Sequence, residues 1–312
     1  MATAPVQTRI TEMLGIEKPV IQAAMGWIAR APLSSAFSNA GGMGIIETSS
    51  GELDVIREEI LKMHDLTDKP FGVNVAQAFV RDPNIVDFII DQGIKFVTTS
   101  AGDPMKYTSM LKEAGLTVFH VVPSLQGALR AIEAGVDGLI VEGGEGGGFK
   151  NPKDVASMVL IPLVCEHVNV PVVAAGGITD GRSMAAAFAL GAEGVLMGTR
   201  ILSSEESPVH QNWKDAIFAA DATDTVFLNR PGPGPALRAL STERTERLLK
   251  EGVENIFGEF AGTQKVYFDG DLEAGIALTG QVAGRIHAVK PVAQILEETL
   301  AEYHEVVARL PK

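Results

Sequence analysis

From Val20 to Met197 the chain alternates between two hydrophobic patterns. Short runs of apolar, often β-branched residues, buried on both faces if they are strands, are separated by longer stretches whose apolar positions recur at helical spacing. Eight runs are predicted as strands: Val20–Gln22, Gly44–Glu47, Gly72–Ala76, Phe96–Ser100, Val118–Val122, Gly138–Glu142, Pro171–Ala175 and Gly194–Met197. Between them Ala31–Ala40, Gly51–His64, Pro83–Gln92, Pro104–Ala114 and Leu125–Ala134 are predicted as helices. Several stop at Ala-Gly or Gln-Gly, as at Ala40-Gly41, Gln92-Gly93, Ala114-Gly115 and Ala134-Gly135, where glycine can take the left-handed conformation that ends a helix. Eight strands alternating with helices predict an α/β fold of the (β/α)8 TIM-barrel type.

After Ser204 the alternation breaks. Val209–Ala220 and Thr242–Gly252 are helical in pattern, joined through Pro231-Gly-Pro-Gly-Pro235, with no credible long strand. We therefore expect residues 1–204 and 271–312 to form the barrel and 205–270 a small helical insertion over its mouth, with Val292–Leu310 as an amphipathic closing helix.

The stretch from Val170 to Ser204 organises the rest. A strand ends at the corner Gly176-Gly177, a helix runs from Asp180 to Leu190, and a second strand, Gly194–Met197, ends at the loop opened by Gly198-Thr199. In a parallel barrel the loops after the last two strands present backbone N–H groups at helix N-termini, a phosphate site that needs no basic side chain. Either corner alone is explained by a tight turn. Two of them, one strand–helix unit apart, point to a phosphate cradle made by Gly176, Gly177, Gly198 and Thr199.

Composition narrows the possible chemistry. The 312 residues are 46% hydrophobic, enough for one large core or two smaller ones. A formal charge of −13 argues against a nucleic-acid partner, and no apolar run approaches a membrane span. No leader pattern is present at the N-terminus, so a cytoplasmic location is expected. The single cysteine, Cys165, lies in the apolar helical pattern Met158–Val168, reads as packing, and excludes an internal disulfide; no metal site is expected.

Candidate ligand contacts gather at strand ends. Gln22-Ala-Ala-Met-Gly26 lets a flat ligand lie near the backbone, Asn74 can donate to and accept from a ring edge, and Thr98-Thr99-Ser100 closes the fourth strand. The loop after the sixth strand, Glu142-Gly-Gly-Glu-Gly-Gly-Gly-Phe-Lys150, has five glycines in six residues, so it either approaches something closely or moves. Glu142 could accept from ligand hydroxyls, while Glu145 and Lys150 are mobile charged candidates for catalysis or merely solvated charges. His120, in an apolar strand, is either a core histidine or a catalyst at the rim.

Taken together, Q-A-A-M-G-W at Gln22–Trp27, G-V-N-V at Gly72–Val75, the Glu/Gly loop, A-A-G-G-I at Ala174–Ile178, L-G-A-E-G-V-L-M-G-T-R at Leu190–Arg200 and G-Q-V-A-G at Gly280–Gly284 resemble the nitronate monooxygenase family. That family, formerly called 2-nitropropane dioxygenase, includes FMN-dependent enoyl-acyl carrier protein reductases and an NADH:quinone reductase. The resemblance implies noncovalent FMN, with NADH or NADPH as an electron donor and a small-molecule substrate. It places Ala24 and Met25 against the isoalloxazine, Asn74 at its ring edge or the neighbouring chain, Glu142 by the ribityl region, Gly147 near the ring, and Gly176, Gly177, Gly198 and Thr199 on the phosphate; a homodimer is a further expectation. One departure stands out. Where nitronate-oxidising and enoyl-reducing members carry a histidine two residues after the glycine matching Gly147, this chain has Phe149, which can neither shuttle a proton nor orient an anion.

The resemblance therefore implies hydride exchange between flavin and NAD(P)H or an activated C=C bond, with His120, Glu145 and Lys150 as substitutes for the missing imidazole. Oxidation of alkyl nitronates by O2 is the alternative. A flavin-free barrel acting on a phosphorylated metabolite, like inosine monophosphate dehydrogenase, would need a nucleophilic cysteine in a barrel loop.

Overall fold

The structure, a computed structural model, describes residues 5–230 and 234–311. Among these the strands are β1 (Val20–Gln22), β2 (Gly44–Ile46), β3 (Phe71–Ala76), β4 (Phe96–Ser100), β5 (Thr117–Val122), β6 (Gly138–Glu142), β7 (Gly148–Lys150), β8 (Val172–Ala175), β9 (Gly194–Met197), β10 (Thr225–Leu228) and β11 (Ala236–Leu240). The helices are α1 (Arg9–Leu14), α2 (Ala31–Asn39), α3 (Leu53–Leu66), α4 (Ile85–Asp91), α5 (Thr108–Glu113), α6 (Leu125–Glu133), α7 (Ser157–Cys165), α8 (Gly181–Ala189), α9 (Thr199–Leu202), α10 (Gln211–Ala219), α11 (Glu243–Glu251) and α12 (Val292–Arg309).

The eight predicted strands form one parallel sheet in the order β1-β9-β8-β6-β5-β4-β3-β2. Its two ends meet: Gln22 N donates to Met43 O (3.0 Å) and Met43 N to Val20 O (2.9 Å), closing the barrel. Because successive strand residues point to opposite faces, the apolar runs supply two cores. Ile21, Ile45, Phe96, Phe119, Ile140 and Val173 fill the interior, and Ile10 and Leu14 of α1 pack with them. Val20, Ile46, Val97, Val118, Leu139 and Val172 face the helical layer. The crowding is tight: a Cβ on Gly138 would sit 2.5 Å from the Phe119 ring. With side chains filling the barrel, a ligand has to sit at its mouth, where the strands' C-terminal ends lie.

Residues 205–270 carry α10 and α11, as their helical pattern predicts, but also β10 and β11. The expectation of helices alone is corrected here. Thr225–Leu228 pairs antiparallel with Ala236–Leu240, and β11 pairs in turn with β7, Leu237 opposite Phe149. The segment is thereby stitched to the glycine loop after β6, with a satellite core of Val226, Leu228, Leu237, Ala239, Ile256 and Ile276. Residues 231–233 of the Pro/Gly turn lie outside the described residues. The closing helix α12 crosses α8 at backbone contact, since a Cβ on Gly181 would fall 2.3 Å from Tyr303 N. Among the described residues no helix is long and apolar enough to cross a membrane.

Candidate active site

A cavity of about 1190 Å³ opens over the C-terminal ends of the strands. All twelve candidate residues line it: Ala24, Met25, Asn74, His120, Glu142, Glu145, Lys150, Gly147, Gly176, Gly177, Gly198 and Thr199. The convergence follows from the parallel topology, which brings every strand's C-terminal end to one rim.

The glycines in this wall interlock. Gly176 and Gly177 have φ of 84° and 77°, a region open to glycine at little cost. A Cβ on Gly176 would stand 2.9 Å from Gly143 O, and one on Gly147 would stand 2.8 Å from Gly280 N. Of the two explanations offered by the sequence for the glycine-rich loop, close approach is the one observed. The loop is pinned from outside as well: Arg238 Nε donates to Gly144 O (2.6 Å) and Gln281 N to Glu145 O (2.9 Å).

The charged candidates are equally fixed. Glu145 accepts from Ser157 N (3.0 and 3.1 Å) and Ser157 Oγ (2.8 Å) at the start of α7, so it is a helix-terminal anchor and not a mobile charge. Lys150, its side chain almost wholly buried, is ion-paired with Glu142, which corrects its reading as a mobile or solvated group. His120 is buried, with Nδ1 2.7 Å from Thr99 Oγ1. Burial lowers its pKa to about 4 against weaker opposing effects of the Asp103 charge and the Gly102 backbone. It is neutral at pH 7 and available as a polar contact, not as an imidazolium acid. Asn74 is oriented by β4, its amide nitrogen donating to Thr98 Oγ1 (2.9 Å) and Thr98 O (3.2 Å).

Phe149 takes part in an aromatic wall that the sequence reading did not assemble. Its ring centroid lies 5.1 Å from Phe79, 5.3 Å from Phe260 and 6.3 Å from Phe257, the last two stacked. These rings come from three distant segments, and their only sequence signal is the i, i+3 pair Phe257 and Phe260. Trp27 and Tyr267 also line the cavity. Trp27 has φ of 59°, an uncommon conformation for a bulky residue, and its indole N–H is buried without a partner. Cys165 ends α7, where burial raises its thiol pKa. The nucleophile required by the flavin-free alternative is not in a barrel loop.

The flavin implied by the resemblance fits these residues. The cavity exceeds the roughly 300–1,000 Å³ of common ligand sites, giving room for cofactor and substrate together. At the cradle, Thr199 Oγ1 accepts from Gly280 N (3.0 Å), which leaves its proton free to donate to a phosphate oxygen. Small side chains at Ala23 and Ala24 give a low floor beside it.

Comparison with known proteins agrees. A family model for nitronate monooxygenase matches residues 7–84 and 76–302. A relative from Mycobacterium tuberculosis named (3aS,4S,5R,7aS)-5-hydroxy-7a-methyl-1-oxo-octahydro-1H-indene-4-carboxyl-CoA dehydrogenase is 32% identical over 95% of this chain and 96% of its own. A probable nitronate monooxygenase from Staphylococcus saprophyticus is 33% identical over 71% of this chain and 75% of its own. The structure of FabK from Thermotoga maritima superposes with a TM-score of 0.92 at 40% identity, covering 97% of this chain and 98% of the other. A barrel with its cavity at the C-terminal rim, an interlocked glycine wall and these relatives lead to one assignment: the chain belongs to the nitronate monooxygenase family of flavin-dependent oxidoreductases.

Proposed function

We propose that this chain binds FMN at the mouth of the barrel and exchanges hydride with NADH or NADPH and with a C=C bond conjugated to a thioester or ketone on a bulky apolar substrate. The observation that carries the reading is Phe149, stacked with Phe257 and Phe260 in the wall of the cavity that also holds the glycine cradle. The rings of Phe79, Phe149, Phe257 and Phe260 offer a face on which an apolar ring or acyl chain can lie, displacing water as it binds. The fused bicyclic carboxyl-CoA in the name of the mycobacterial relative, though saturated, is a bulky apolar ring of that kind.

Each group has a role in this reading. Gly176, Gly177, Gly198 and Thr199 hold the FMN phosphate through backbone N–H groups and one hydroxyl. Ala24 and Met25 support the ring, Asn74 meets its edge, Gly147 admits it closely, and Glu142, held by Lys150, accepts from the ribityl hydroxyls. Once bound, FMN supplies a reversible two-electron hydride carrier. His120 and Glu145 then act as fixed polar walls, not as moving acids. Residues 205–270 serve as an inserted unit covering the site, supported by Phe257, Phe260 and Tyr267 at the cavity.

The test is the visible spectrum of the purified protein under anaerobic conditions. A flavin spectrum bleached by NADH or NADPH and restored by crotonyl-CoA is the expected result. A colourless protein overturns the cofactor assignment. Rapid oxygen uptake with propionate 3-nitronate, with no bleaching by either nucleotide, overturns the hydride reading in favour of nitronate oxidation.

A further inference from the structure

The cavity's other ionisable groups are mostly committed. Glu142 pairs with Lys150, Glu145 is bound to Ser157, His120 is neutral against Thr99, and Arg130 donates to Asp103 (2.6 and 2.9 Å). Tyr267 stands apart from them. It lines the cavity, is 4% exposed, and is carried on a single π-helical turn, Lys265–Asp269, closed by Gly270 at φ 74°. A π turn is rare and costs hydrogen-bond geometry, and such turns gather at functional sites because they re-aim a side chain.

The ring is held from behind. It stacks on Trp213 (centroids 4.6 Å apart, 26° between planes), and Trp213 Nε1 donates to Thr279 Oγ1 (3.1 Å). The next residue, Gly280, donates to Thr199. His210 N donates to Tyr267 O (2.7 Å), fixing the backbone of the turn. The phenol is therefore tied mechanically to the same corner that forms the phosphate cradle. Burial and the charge of Glu47 push its pKa up, so it stays protonated. Glu47 is itself buried and held by Arg30 Nε (2.9 Å), Ser49 Oγ (3.0 Å) and Ser50 N (2.9 Å). A phenol that keeps its proton, fixed in a low-dielectric cavity, suits stabilisation of a developing oxyanion.

We propose that Tyr267 is a catalytic residue whose hydroxyl donates a hydrogen bond to the carbonyl oxygen of the conjugated thioester or ketone. The inference rests on the function proposed above. As the substrate's β-carbon accepts a hydride from the reduced flavin, the double-bond electron pair moves through the α-carbon onto the carbonyl oxygen, giving an enolate held by the phenol O–H. The α-carbon then takes a proton from water, the carbonyl re-forms, and Tyr267 keeps its own proton. Loss of one such donor lowers kcat by about 10²–10³.

The experiment compares the protein with Tyr267→Phe, which keeps the ring and its stack on Trp213. Acetoacetyl-CoA is the probe, because its enolate has its own ultraviolet band. Wild-type protein is expected to raise that band on binding, and the variant to bind the probe without raising it. In turnover with crotonyl-CoA, kcat should fall about 10²-fold with KM little changed, while bleaching by the reducing nucleotide keeps its rate. Equal enolate bands in the two proteins, or no band in the wild type, overturn the assignment. Should Tyr267→Phe fail to fold, 3-fluorotyrosine at the chain's three tyrosines strengthens the donor: the enolate fraction rises if Tyr267 donates, and no change overturns the proposal. Absence of bleaching in the wild type would count against the hydride reading, while the enolate band still decides Tyr267.

Discussion

At the scale of single residues, burial decides charge. His120 keeps a folded pKa of about 4 against an ordinary 6.5, because the imidazolium would lose its hydration in the strand. Below pH 6.5 the unfolded chain takes up a proton that the folded protein refuses until about pH 4. This contribution is therefore complete above pH 6.5 and lost as pH falls towards 4, with roughly 2 kcal/mol gone by pH 5. Urea midpoints at pH 7 and pH 5 measure it, and His120→Gln should flatten the difference; an unchanged slope would mean that His120 is accessible to water. The sequence left His120 open between core and rim, and the structure gives it both a buried ring and a place in the cavity wall. Glu145 and Lys150 looked mobile because glycines surround them. Their partners, Ser157 and Glu142, are supplied by folds of the backbone that composition does not reveal. Tyr267 was not legible at all, since its position depends on a π turn and on stacking with a residue 54 places earlier in the chain, at Trp213.

At the scale of elements, the hydrophobic pattern carried most of the information. Four strand boundaries coincide with the observed ones, at Val20–Gln22, Phe96–Ser100, Gly138–Glu142 and Gly194–Met197, and the others differ by one residue. Parallel strands buried on both faces announce themselves as continuous apolar runs. The missed strands do not. β7 is three residues of a glycine loop, and β10 and β11, though mostly apolar, are only four and five residues long and lie outside the strand–helix alternation, so their identity comes from pairing with one another. Pro104–Ala114, expected as one helix, splits into a 3₁₀ turn at Pro104–Lys106 and α5. Helix α8 follows the Gly176-Gly177 corner and begins with a reciprocal cap: Ser183 N donates to Asp180 Oδ1 (3.0 Å) and Asp180 N to Ser183 Oγ (3.0 Å). Replacing Asp180 with alanine should lower stability by about 1 kcal/mol in thermal melts. A neutral result would show that the corner, not the cap, starts the helix.

For the whole molecule, the barrel was readable because eight strand–helix alternations leave few other architectures. The covering of its mouth proposed for residues 205–270 rests, in the sequence, only on a break in that alternation. A cavity this large is filled on cofactor binding, and binding to the folded state alone stabilises it by about 2.7 kcal/mol at a hundredfold excess over Kd. Stripping the flavin with chaotropic salt should lower Tm by about 5 °C, with recovery on adding FMN. Identical melting with and without FMN would contradict a cofactor held by the fold. The glycines of the wall carry a lesson for anyone who would remodel this pocket. Gly143 occupies the space that a side chain at Gly176 would need, and Gly280 the space that one at Gly147 would need. A graft that swaps one of these loops inherits the steric demands of its neighbour, so the Gly176-Gly177 corner, the Glu/Gly loop and the Gly280 segment can be transplanted or redesigned only as a single casting.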